Sequence, residues 1–166
     1  MEIKICKRFE VASVAHEFKA THILSLVAPG VKVFTPTFCD GNHKILFMED
    51  VDHPDHPNSP QIEQIREALD WARNLPSDAR VIVHCEAGCS RSTAMALGVW
   101  VLHNPGRSLK DGSKWLKETR PISCPNLLIA EFIDEILNLD GEFFKACDEV
   151  GEWRMVNWFK DDDSEN

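Results

Sequence analysis

The segment HCEAGCSRS, residues 84–92, concentrates the residues of this chain that could do chemistry together: His84, Cys85, Gly88, Ser90, Arg91 and Ser92. A cysteine thiolate is a strong nucleophile. An arginine six positions later carries a planar fork that matches two oxygens of a tetrahedral oxyanion. The short loop between them contains a glycine and runs ahead of a helix. Such a loop turns several backbone N–H groups toward its centre and adds the positive end of the helix dipole. The result is an anion cradle, lined by Glu86, Ala87, Gly88, Cys89, Ser90 and Arg91, that holds an oxyanion against sulfur. Covalent phosphoryl transfer to cysteine requires that arrangement. The same field favours thiolate over thiol at Cys85. Ser92, with Ser90 beside it, is placed to stabilise the sulfur as a leaving group when water attacks a thiophosphate. His84 can orient loop carbonyls through its ring nitrogens.

The elements around this loop must deliver it to an edge. Arg80 to His84 reads as a buried strand, and an apolar helix follows the loop to about Leu102. Further strands are expected at Ile3–Cys6, Thr21–Val27, Val31–Phe34 and Lys44–Met48, with a turn at Asp40-Gly41-Asn42. Helices are expected at Phe9–Phe18 and from a Ser59 cap with Pro60 in the first turn to about Asn74, with Ile62, Ile65, Leu69 and Ala72 inward. A Ser108/Asp111 capping box opens another helix, ending near Arg120. Asn126 caps a last strong helix, Leu127 to Leu139, which Gly141 closes. Residues 142–159 carry Phe143, Phe144, Val150, Trp153, Met155, Trp158 and Phe159 and are expected to dock on the domain. Strands alternating with helices give a single α/β domain, residues 1–160, with a mostly parallel central sheet flanked by helices. Residues 161–166 are expected to form a disordered acidic tail. Sites in such sheets lie beyond the carboxyl ends of the strands, where the 85–91 loop would sit.

Composition narrows the partners. The chain has 166 residues and a formal charge of −9, which disfavours a general nucleic-acid or anionic-membrane binder. No stretch is long and apolar enough to span a bilayer, and the charged start MEIKICKRFE lacks a signal-peptide core. A cytoplasmic protein with free thiols is expected from the six cysteines. The residues 49–60, EDVDHPDHPNSP, hold three prolines and four acids and read as an exposed loop. His53 and His56 with the neighbouring aspartates suggest a metal cluster by composition, but a proline-rich loop offers no fixed ligand geometry, so no metal or other cofactor is assigned. Trp100 and Leu102 are expected in the core. Cys89 and Cys124 are possible disulfide partners of Cys85 under oxidation, beside the plainer reading of small packing side chains.

HCEAGCSRS resembles the HCxxGxxR[ST] signature of cysteine-dependent protein tyrosine phosphatases, nearest to the compact dual-specificity-like branch with its small bacterial members. TRPISCPN before the last helix, and FMEDVDHP before PQIEQIREALDWA, are similar to that branch's ordering. The likeness covers about residues 3–140 and is strongest at 80–95. It implies the protein tyrosine or dual-specificity phosphatase fold and hydrolysis of phosphorylated protein or small phosphomonoesters, phosphotyrosine first. It also implies a general acid, an aspartate on a mobile loop upstream of the signature. Asp50 is favoured, with Asp52 next and Asp55 third. Lipid-directed relatives tend to carry extra basic residues in the loop, where this chain has Glu86 and Cys89. Rival readings of the same residues are a non-catalytic phospho-residue binding module and a rhodanese-like or arsenate-handling protein.

Overall fold

Four runs rich in β-branched and aliphatic residues pair side by side, and the helices between them cover both faces of the resulting sheet. The computed structural model describes residues 1–37 and 42–162, the last nine as backbone only. The strands are β1 (Glu2–Lys7), β2 (His22–Val27), β3 (His43–Phe47) and β4 (Arg80–Cys85). They lie in the order β1-β4-β2-β3, and every pairing is parallel. The helices are α1 (Val11–Phe18), α2 (Ile62–Arg73), α3 (Arg91–His103), α4 (Leu109–Thr119), α5 (Leu127–Leu137) and α6 (Glu142–Asp162).

Strand alternation divides the apolar residues between two layers. Val81, Val83 and Cys85 of β4 and Leu24 and Leu26 of β2 join the large core under the later helices, with Leu69, Met95, Leu97, Ile129 and Ile133. Ile82 and Ile23 point the other way, to Cys6, Val11, Ala15 and Phe18 beneath α1. This two-sided cover explains why β2 is buried along its whole length. Each fully buried leucine, isoleucine or phenylalanine contributes roughly 1.5–3 kcal/mol. Gly98 lets α3 approach α5: a Cβ there would come within 2.9 Å of Ile133 Cδ1.

Several local expectations differ from the structure. Arg8–Glu10 form a separate 3-10 turn before α1, leaving Phe9 80% exposed. Val31–Phe34 is irregular. Both edges of β2 are already taken by β4 and β3, and Val31 N–H instead closes a turn to the Ala28 carbonyl. Helix α2 takes Gln61 at its N-cap. The Ser59 hydroxyl is spent on the preceding loop, donating to the Pro54 carbonyl at 2.9 Å and accepting from Gln61 Nε2. Ile62 is half-buried, while Ile65, Leu69 and Ala72 face inward. The Ser108/Asp111 capping box forms. Trp100 and Leu102 are half-buried, and Trp100 stacks on Trp115.

Helix α5 ends two residues early. Asn138 adopts the left-handed conformation at its C-cap, and Asp140 and Gly141 follow with positive φ. That sharp corner serves the next helix. The buried Asp134 carboxylate accepts N–H groups from Gly141, Phe143 and Phe144, capping α6 from the side. Phe143, Cys147 and Val150 are then buried against the domain, while Phe144 and Trp153 stay partly exposed. Asp161 and Asp162 belong to α6. Residues 163–166, Cys39 and most of the Asp40-Gly41-Asn42 turn lie outside the described residues, as do the side chains of Met155, Trp158 and Phe159. Among the described residues, no helix is long and apolar enough to cross a membrane.

Candidate active site

The 85–91 loop leaves the carboxyl end of β4, a central strand, and ends in the first turn of α3. Cys85 lies at its base with no exposed surface. Its Sγ receives the Gly88 N–H at 3.3 Å and lies 3.2 Å from Ser92 Oγ. Gly88 is required twice over. Its φ of +67° is left-handed, and a Cβ there would sit 2.6 Å from the Cys6 carbonyl oxygen.

The loop is held by its carbonyls. Glu86 C=O accepts Arg8 N–H, and Cys89 C=O accepts Cys124 N–H at 2.8 Å. Arg120 Nε donates to Gly88 C=O at 2.8 Å and its Nη2 to Ala87 C=O at 3.4 Å. The Thr93 hydroxyl bonds the Cys89 and Ser90 carbonyls, and Asn126 N–H reaches Ser90 C=O. In a planar trans peptide the C=O and the next N–H point in opposite directions. Drawing the carbonyls of residues 86–90 outward therefore turns the N–H groups of residues 87–91 inward. The cradle inferred from spacing has this physical cause.

Arg91 is 4% exposed. Its Nη1 donates to the Met48 carbonyl at 2.7 Å. Its Nε is buried, has no hydrogen-bond partner, and lies 3.7 Å from Asp50 Oδ2. The guanidinium is thus anchored at one nitrogen and keeps another donor for an oxyanion. A buried donor without an acceptor costs about 1–3 kcal/mol, so an acceptor that fits the loop gains that much in addition to its charge.

Asp50 reaches the same place from the other side. Its Oδ1 accepts Ser90 Oγ–H at 2.6 Å and Asn126 Nδ2–H at 3.1 Å. Asp52 turns away: its Oδ1 accepts the Leu127 N–H at the start of α5. Asp55 is exposed. His56 stays within its own loop, beside Glu49 at 3.7 Å and accepting from Asn58 N–H. Glu86 is bound at Oε2 by Arg8 Nε at 2.8 Å. His84 is buried behind the loop with its Nε2 at 2.5 Å from Ser25 Oγ, and burial lowers its pKa to about 4. Burial raises the pKa of three thiols, Cys6 to about 12 and Cys89 and Cys147 upward.

Two functional contributors escaped the sequence reading. Asn126 was legible as a helix cap, and its Oδ1 does accept Ile129 N–H; its amide nitrogen also holds Asp50 and the Val51 carbonyl. Arg120 offered only a basic residue at a helix end. The signal for both was their place in the TRPISCPN run.

The family model for the dual specificity phosphatase catalytic domain matches residues 9–139. The fold is similar to that of human DUSP28, with a TM-score of 0.63 and 13% identity over 82% of this chain and 92% of that one. It is also similar to the human tyrosine phosphatase-like serine/threonine/tyrosine-interacting protein, with a TM-score of 0.64 and 17% identity over 83% and 92% of the two chains. A mouse putative dual specificity phosphatase gives 0.59 and 16%, covering 84% of each chain. At these identities the likeness concerns the fold. Among curated proteins, no sequence match is found.

Proposed function

Since the chain belongs to the dual specificity phosphatase catalytic-domain family and is a cysteine-dependent phosphatase, we propose that it hydrolyses phosphomonoesters of proteins, phosphotyrosine first, through a cysteinyl-phosphate at Cys85. The observation that carries this reading is the meeting of Cys85 Sγ with the Gly88 N–H and Ser92 Oγ on one loop that also carries the buried Arg91, whose Nε makes no hydrogen bond and faces Asp50.

The Cys85 thiolate attacks phosphorus as the bond to the departing oxygen breaks. The inward N–H groups and Arg91 hold the three equatorial oxygens, where charge is spread in the transition state. Asp50 gives its proton to the leaving alkoxide or phenoxide, then takes one from the attacking water. Ser92 donates its hydroxyl to sulfur as the thiolate departs, and inorganic phosphate is released. His84, neutral and buried, supports the loop from behind. Cys6, Cys85, Cys89 and Cys147 are free thiols, which suits a reducing cytoplasmic setting.

Hydrolysis of an aryl phosphate, with reductant and without added metal, tests the reading. Wild type is expected to turn over, Cys85→Ser to lose on the order of 10⁴-fold or more in kcat, and Asp50→Asn to lose about 10²- to 10³-fold. A wild type that binds phosphotyrosine peptide without turnover would make the protein a binding module. Thiosulfate sulfurtransferase activity alone would make it rhodanese-like.

A further inference from the structure

On the sheet face beneath α1, a line of polar side chains runs from His84 near the carboxyl end of β4, across Ser25 of β2, to His43 at the start of β3 and on to Thr35. Ser25 and His84 are register partners on β2 and β4. The Ser25 hydroxyl lies 2.5 Å from His84 Nε2 and 2.7 Å from His43 Nε2. His43 Nδ1 continues the line to Thr35 Oγ1 at 2.9 Å. Ser25 has no exposed surface and His84 has 1%. The phosphoryl-transfer steps use neither Ser25, His43 nor Thr35.

Counting protons restricts the line. Burial lowers the pKa of both rings, His84 to about 4, so both are neutral near pH 7. A neutral imidazole has one donor and one acceptor. Ser25 has one proton for two ring nitrogens, so it donates to one ring and accepts from the other. Two orders are consistent with this. If Ser25 donates to His84 Nε2, the His84 proton sits on Nδ1. Then His43 Nε2–H donates to Ser25, and Thr35 donates to His43 Nδ1. In the reverse order, His84 Nδ1 is a bare lone pair. The surroundings of Nδ1 decide between them. That atom is buried without a partner in regular hydrogen-bond geometry, and the nearby Cys85 backbone favours the protonated ring. A carbonyl does so, and a carbonyl is served by an N–H.

We propose that Ser25, fixed in turn by His43 and Thr35, is a positioning residue: its hydroxyl holds His84 as the Nδ1–H tautomer and thereby braces the Cys85 end of the phosphate loop. The role in turnover rests on the proposed function; the tautomer does not.

The test combines side-chain ¹⁵N NMR of the histidines with aryl phosphate kinetics. In wild type, His84 shows one tautomer, Nδ1–H, from about pH 6 to 8. Ser25→Ala gives a mixture of tautomers and lowers kcat about tenfold, with KM changed less than about twofold. Ser25→Thr, which keeps the hydroxyl, restores both. His43→Leu, on the edge strand, shifts both readouts in the same direction by a smaller amount, and it carries the test if Ser25→Ala does not fold. An Nε2–H tautomer in wild type, or a Ser25→Ala protein with unchanged spectrum and kcat, overturns the proposal. If wild type turns over no aryl phosphate, the functional reading falls and the His84 tautomer still decides the positioning claim.

Discussion

The Cys85–Arg91 loop and the Glu49–Pro60 loop meet where Asp50 touches Ser90 and Arg91, yet they are built in opposite ways. The first is determined at both ends by regular structure, β4 and α3, and the carbonyls of residues 86–90 are bound from outside. The second has no regular structure, and its acid is placed by side chains from two distant segments, Ser90 with Arg91 and Asn126. A backbone cradle can be encoded locally. A carboxylate at the end of an irregular loop has to be located by tertiary contacts.

With the nucleophile left in place, the largest expected effect comes from the cradle's own cation. Arg91→Lys keeps the charge but removes the fork that bonds Met48 and presents Nε to the oxyanion. Aryl phosphate turnover should fall by about 10³-fold; a loss under tenfold would mean that charge alone suffices there. Next is the clamp on the loop carbonyls. Arg120→Leu strips the donors from Gly88 and Ala87. Vanadate binding, measured calorimetrically, should weaken by on the order of 2 kcal/mol, a factor of about 30. Unchanged binding would show that the loop holds its shape without the clamp.

Asn126→Ala probes the other loop. It removes the α5 cap, at about 1 kcal/mol of stability, and frees Asp50 from one of its tethers. A tenfold drop in kcat beyond the stability loss is expected, on the order of what misplacing a catalytic group gives, while vanadate affinity stays near wild type. Equal losses in both readouts would erase the distinction between the loops.

The last effect concerns stability and pH and leaves the chemistry of the two loops aside. His84 has a folded-state pKa of about 4, below the ordinary 6.5. The unfolded chain therefore binds the extra proton first. Stability is full above about pH 6.5 and declines as pH falls toward 4, by on the order of 3 kcal/mol from this residue. Denaturant melts of His84→Gln should have a shallower slope over that window than wild type. An equal slope would place the acid sensitivity elsewhere.

The sequence and the structure agree where neighbouring residues decide the outcome. The β4 run, the glycine and arginine spacing and the Ser108/Asp111 box are local signals, and each produces its expected element. Disagreement appears where a residue's partner, or its lack of one, is decided outside its own element. Val31–Phe34 has strand-like alternation but pairs with no strand, and Val31 turns back on Ala28 instead. Ser59 has a cap's side chain but spends it on Pro54. Asp134 was only a helix residue until the turn at Asn138–Gly141 brought three N–H groups to it. In the site, Cys85 and Arg91 were legible from spacing, and the choice of Asp50 over Asp52 came from the family's ordering. The structure adds the physical difference between the two acids, since Asp50 faces the loop and Asp52 caps α5.

That difference has a direct test. We would measure kcat/KM for wild type, Asp50→Asn and Asp52→Asn on a series of aryl phosphates with increasingly basic leaving groups. An enzyme that protonates the departing oxygen is nearly indifferent to its basicity; one without its acid slows steeply as basicity rises. The account predicts a shallow dependence for wild type and Asp52→Asn and a steep one for Asp50→Asn alone. A steep dependence in Asp52→Asn with a shallow one in Asp50→Asn would contradict it.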